Sequence, residues 1–315
     1  MANQDELHAQ ESRATRSPPG PAPGHAGSPA WRTARHTDRV TGTDGERSGD
    51  VGGVHPGAEV TDRVRGLAVH RRLRPGAPRV VLVHGAMDRG ASFIKASRRL
   101  PDLEIIRYDR RGYGRSVEVP PSDDLEVQVQ DLEAIIGDTP SIVIGHSLGG
   151  VLALAVAARH PERVRAVGAY EAPMPWTDWW PAHSAGGDAL KASAQGDAAA
   201  AAAERFMRRI VGDELWERLP TSTREARRAE GAALMADLIG MRSGTAPYEL
   251  DQLRVPVVAG RSDRSDAHHQ RAAETLAAEV DGAELVVIED ADHGAHYADP
   301  ASFAAFISRT VARAT

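Results

Sequence analysis

Ser147 stands between Gly145 and Gly149 in the stretch "SIVIGHSLGG" (141–150), and the chemistry open to it is nucleophilic. A serine hydroxyl attacks a carbonyl effectively only when a base takes its proton and nearby donors hold the oxyanion that forms. A Gly-x-Ser-x-Gly spacing can arise by chance in a chain with 30 glycines, so its context decides. Here an apolar, strand-like run leads in, and the helix-like run "VLALAVAARH" follows at once. A serine on such a strand-to-helix turn is forced into strained backbone angles, while small neighbours let adjacent chain pass close. Its oxygen then projects beyond the carboxyl ends of the strands. There the free N–H groups of the next helix favour negative charge.

The elements that must position this serine can be read on either side of it. "RVRGLAVHRRL" (63–73) reads as a strand entering a hairpin through "RPGAP". "RVVLVHG" (79–85) is a short, nearly continuous apolar run, as expected of a strand buried on both faces. Helical spacing follows over 91–100, then a strand with a glycine turn over 103–112. A helix over 123–137 starts at an aspartate N-cap and stops at Gly137. Strands at 164–173, 255–260 and 283–290 and helices near 268–280 and after Pro300 complete the pattern. Apolar strands alternating with helices imply an α/β fold, a mostly parallel, doubly wound sheet covered on both faces. The alternation breaks between 174 and 250, where alanine-rich helical sequence reads as an inserted cap. The core is therefore expected over 59–173 and 251–315.

Residues 1–58 stand apart. The first 60 residues hold nine glycines and six prolines but five Leu, Ile, Val or Phe, too few to offset the entropy of ordering. They are expected to form a disordered tail. Hydrophobic residues make up 41% of the 315, enough for a packed core. The net charge of −6 argues against nucleic acid as a partner. The absence of cysteine removes disulfides, thiolate metal sites and cysteine nucleophiles. No apolar run has the length of a membrane span, and the N-terminus lacks the apolar centre of a secretory signal, so a cytoplasmic protein with no membrane partner is expected. The oligomeric state is left open.

Four blocks, in order, resemble the α/β-hydrolase superfamily: "VLVHGAMDRGASF", "RYDRRGYGRS", "GHSLGG" and "DADHGAHYADPASFAAFI". With "VPVVAGRSD" the resemblance covers most of 60–315 except the cap. It implies Ser147 as nucleophile. It also implies the Leu148 backbone N–H as one oxyanion donor and that of Ala86 as the second, with Met87 the near alternative. The order serine, acid, histidine in this fold points to His293 as base, with His296 three residues on as competitor. Asp292 stands before it where the family usually has glycine. For the acid the resemblance favours Asp263, beyond the strand after the cap. Asp266 lies further along the same loop, and Glu171 ends the earlier strand in "AYEAP". His293 and His296 are not expected to share a metal, because Gly294 between them argues against the helix their spacing would need.

Other marked residues have plainer readings beside functional ones. His84 and His146 are expected to be structural. Arg110, Arg111 and Tyr113 read as a loop packing beside the serine turn. Trp176, Trp179 and Trp180 follow i, i+3, i+4 spacing, so one helical face would carry three indoles. Such a face could pack cap on core, or form with Met87 an apolar substrate wall. The implied activity is a cofactor-free serine hydrolase acting on an ester or related acyl bond of a small molecule. Thioesterase, lactonase, carbon–carbon hydrolase and perhydrolase chemistry stay open. So does a non-catalytic binding protein on the same fold, since fold alone does not establish activity.

Overall fold

The computed structural model describes residues 57–196 and 198–314. The expected tail over 1–58 falls almost wholly outside them. β1 (Glu59–Val64) and β2 (Leu67–Arg72) form an antiparallel hairpin. Its turn is Arg65–Gly66, with φ of 51° and 84°. Sequence spacing carried one strand through 63–73, but two successive positive φ values are what a tight hairpin turn demands, and glycine meets the second without strain. "RPGAP" instead leads to β3 (Arg79–Val83), which is not a neighbour of β2.

Next come α1 (Ile94–Ser97), β4 (Glu104–Tyr108), α2 (Leu125–Ile136), β5 (Ser141–His146), α3 (Leu148–Arg159) and β6 (Val164–Tyr170). Asp124 caps α2 by accepting from the Glu126 N–H at 2.9 Å. The chain then leaves the sheet for α4 (Ala185–Ala194), α5 (Ala199–Val211), α6 (Asp213–Arg218), α7 (Thr221–Ala229) and α8 (Gly231–Met241). It returns through β7 (Val257–Ser262), α9 (Ala267–Glu279), β8 (Glu284–Ile288), α10 (Ala295–Ala298) and α11 (Pro300–Arg313).

The eight strands form one sheet in the order β1-β2-β4-β3-β5-β6-β7-β8. It is parallel from β4 to β8, and antiparallel where β2 meets β1 and β4. This is the doubly wound α/β architecture the alternation implied. Successive side chains of a strand point to opposite faces. Val81 and Val83 accordingly pack with Leu132, Val151 and Leu276 of α2, α3 and α9. Val80 and Leu82 pack with Phe93, Phe303 and Phe306 on the other face. With both faces covered, the central strands are apolar over most of their length, which is why periodicity found them. Met87 and Tyr113 of the core pack with Ala189, Ala202, Leu234 and Leu238 of the inserted helices.

The stretch 174–184 forms turns rather than the helix that the tryptophan spacing suggested. Pro173, Pro175 and Pro181 punctuate it, and each disfavours helical angles in the residue before it. Among the described residues no helix is long and apolar enough to cross a membrane.

Candidate active site

β5 delivers the chain to Ser147, whose φ of 53° and ψ of −126° are costly for a residue with a side chain. The Ser147 N–H donates to the Tyr170 carbonyl at 2.8 Å, which ties the turn to the end of β6. The flanking glycines are required by proximity. A Cβ at Gly145 would lie 2.1 Å from the Gly149 carbonyl oxygen, and one at Gly149 would lie 2.1 Å from that of Val83. α3 therefore starts directly against β3 and β5. Leu148 is its first residue, so its N–H has no intrahelical acceptor. Ala86 lines the cavity beside Ser147. Met87, expected at the same wall, instead turns its side chain under the inserted helices, with φ 56° and 3% exposure.

His293 follows β8 and lines the same cavity. Its Nδ1 lies 2.6 Å from Glu171 Oε2, and Glu171 is fully buried. The other oxygen, Oε1, accepts from the Ser262 N–H at 2.7 Å and from the Ser265 hydroxyl. Burial pushes the Glu171 carboxyl up, but the hydrogen bond and charge of His293 and the Ser265 hydroxyl outweigh it and bring it down to about 2. Glu171 is thus a buried carboxylate held ionised by its donors.

This corrects the acid expected from sequence. Asp263 sits at the surface, and its Oδ1 accepts from the Ala291 N–H at 3.2 Å. Asp266 is exposed and opens α9, 4.0 Å from His268. The physical reason lies in the loop after β7. It turns so that Ser262 and Ser265 face inward, supplying donors to Glu171 rather than an acid to His293. Glu171, one residue beyond β6, has φ 47°, and its N–H donates to the Gly260 carbonyl at 2.8 Å.

Two further histidines hold the surrounding loops. His146 is buried, and its Nε2 donates to the His293 carbonyl at 2.8 Å, anchoring the loop that carries that residue. Burial, then the nearby His296 and His293, keep His146 well below its ordinary pKa. His84 donates from Nδ1 to the Gly85 carbonyl and accepts the Arg110 N–H at Nε2, both at 2.8 Å. Burial and Arg110 lower it to about 4. His269, which no sequence signal marked, packs against His293 with the rings tilted at 32° and 4.5 Å between centroids. Among the described residues, two groups place potential metal ligands within 4.8 Å of one another: Asp88, His146 and His296, and Glu171, His269 and His293. His296 belongs to the first of these groups and His293 to the second.

Arg110 is more than a loop residue. Its guanidinium, 1% exposed, forms a two-point pair with Asp237 of α8 at 3.0 and 2.8 Å. It also donates to the carbonyls of His84 and Gly85, each at 3.0 Å. Tyr113 and Gln128 donate to the same Asp237 at 2.7 and 2.8 Å. The network clamps an inserted helix onto the loop that carries Ala86. Replacing Asp237 by alanine would leave a buried, unpaired cation. It is expected to cost about 3–5 kcal/mol in urea unfolding. Asp102→Ala, which breaks the exposed pair with Arg74, should cost under about 1 kcal/mol. Equal losses for the two variants would contradict the clamp.

The cavity has a volume of about 210 Å³. Trp180 lines it and meets His268 edge-on at 4.5 Å. Trp176 and Trp179 do not line it. Trp176 packs edge-on against Tyr248 at 5.7 Å, and Trp179 lies under the Arg271 guanidinium at 4.5 Å. The turns at 174–184 thus split the three indoles between packing and cavity.

A family model described as "Alpha/beta hydrolase family" matches residues 80–306. Lipase LipV of Mycobacterium tuberculosis is 35% identical over 104 residues, 32% of this chain and 40% of that protein. The alignment thus spans well under two thirds of that relative. Pimeloyl-[acyl-carrier protein] methyl ester esterase of Neisseria meningitidis is 28% identical over 249 residues, 75% of this chain and 94% of that one. Among solved structures, the enol-lactonase from Burkholderia xenovorans superposes with a TM-score of 0.62 at 22% identity, covering 80% of this chain and 100% of that one.

Proposed function

The chain belongs to the α/β hydrolase family, and from that premise we propose that it is a serine hydrolase cleaving an ester or related acyl bond through an acyl-enzyme. The observation that carries this reading is the 2.6 Å contact between His293 Nδ1 and buried Glu171, in a cavity that also exposes Ser147 on its strained turn. Glu171 holds the imidazole with its proton on Nδ1, leaving Nε2 as the base. Ser147 Oγ gives its proton to Nε2 and attacks the carbonyl carbon. The oxyanion is held by the N–H groups of Leu148 and Ala86, and such donors are commonly worth about 3–4 kcal/mol each. Collapse expels the leaving group, which takes the proton from His293. Water, deprotonated by the same nitrogen, then attacks the acyl-enzyme, and the acid leaves as His293 returns that proton to Ser147 Oγ.

The chemistry in the names of relatives agrees with this class: a lipase, a methyl ester esterase and an enol-lactonase all cleave acyl–oxygen bonds. The reading is tested by a fluorophosphonate probe, which should add once per chain, with the adduct located on Ser147 by peptide mass spectrometry. A folded protein that resists the probe and does not turn over a short p-nitrophenyl ester would sink it.

A further inference from the structure

Arg242 directly follows α8 and lines the cavity that holds Ser147 and His293. Its Nη2 donates to Ser184 Oγ at 2.8 Å, and among the described residues no carboxylate pairs with it. Burial is the one influence on its pKa and lowers it, with no neighbouring negative charge acting the other way. The other two arginines on the cavity, and Asp237, have partners of opposite charge. Arg209 pairs with Asp188 at 3.1 Å, Arg264 pairs with Asp290, and Asp237 is matched by Arg110. A half-buried guanidinium without a counter-ion is partly desolvated at some cost, and its planar fork suits a carboxylate in two-point contact.

The geometry points to Arg242 as the receptor for a carboxylate carried by the substrate, so that the substrate is an anionic acyl compound with its charge several bonds from the scissile carbonyl. This rests on the hydrolase reading above. The spacing follows from α8. Asp237, through Arg110, reaches the carbonyls of His84 and Gly85 beside Ala86. Arg242 lies five residues further on, roughly 7–8 Å along the helix axis at 1.5 Å per residue. Two acids line the cavity from the opposite part of the sequence. Asp266 opens α9, and Asp292, beside His293, accepts the Gly294 N–H at 2.8 Å. They disfavour an anion near the histidine loop and leave Arg242 as the attractive end.

The test is calorimetric titration of the full-length protein with adipate and with its uncharged diamide. Adipate should bind at least about tenfold more tightly than adipamide. Arg242→Gln should weaken adipate about tenfold, with partial recovery in Arg242→Lys, a measure of charge retained with the fork lost. Equal affinities in the wild-type protein, no measurable adipate binding, or adipate affinity unmoved by Arg242→Gln would overturn the assignment. The wild-type comparison stands even if a variant misfolds. The two readings fail separately. A Ser147 adduct without adipate preference removes only the anion site, whereas adipate preference without an adduct removes only the hydrolase reading.

Discussion

Ser147→Ala is expected to lower turnover of a short p-nitrophenyl ester by about 10⁴-fold or more, with the circular dichroism spectrum unchanged. The magnitude follows from losing the nucleophile in a unit whose members act together. What remains is the smaller acceleration from oxyanion donors and binding. The fold should not suffer, because the hydroxyl makes no structural contact that alanine would leave unanswered at the α3 N-terminus, where no side-chain cap bond exists. The strained φ of 53° is equally present in the variant, since alanine also carries a Cβ. Turnover within tenfold of the wild type, at unchanged structure, would remove Ser147 from the mechanism.

The second large effect separates two carboxylates. Glu171→Gln is expected to reduce kcat by about 10³–10⁴-fold, because an amide that donates to Nδ1 stabilises the wrong imidazole tautomer. Asp263→Asn should stay within a few-fold of the wild type, as its carboxylate is at the surface and bonded to the Ala291 N–H. The outcome that would reverse this assignment is a silent Glu171→Gln with a crippled Asp263→Asn. The pH behaviour carries a sign as well. Folding lowers the Glu171 pKa from 4.5 to about 2. Its ionised form therefore contributes stability that is fully present above 4.5 and is lost as pH falls toward 2. At any pH above the ordinary carboxyl range Glu171 stays ionised, so it does not shape the acid limb of the rate profile there.

The sequence by itself determined the layered α/β fold and the position of the serine turn. Both are local properties. Strands buried on two faces must be apolar on both faces, as "VVLV" and "IVI" are. The close approach of α3 to β3 and β5 leaves no room for a Cβ at Gly145 or Gly149, so the requirement is written in adjacent letters. The position of His293 was expected from a similar local cue, since it lies a few residues beyond a readable strand. The partner of His293 was not. Glu171 is 122 residues away in the chain, and its choice over Asp263 depends on which way the loop after β7 turns. The resemblance favoured that loop as the source of the acid; packing made it a source of hydroxyl and N–H donors instead. The same limit hid the Arg110–Asp237 clamp, whose members are 127 residues apart, and the lack, among the described residues, of a carboxylate partner for Arg242. The tryptophans were misread in the opposite direction. Their spacing obeyed a helical period, but the prolines around them set the backbone, and the tertiary structure sent one indole to the cavity and two to packing. Periodicity reports the environment an element needs. Which side chains meet across the chain is decided by burial and hydrogen-bond satisfaction summed over the whole fold, and that sum exists only in three dimensions.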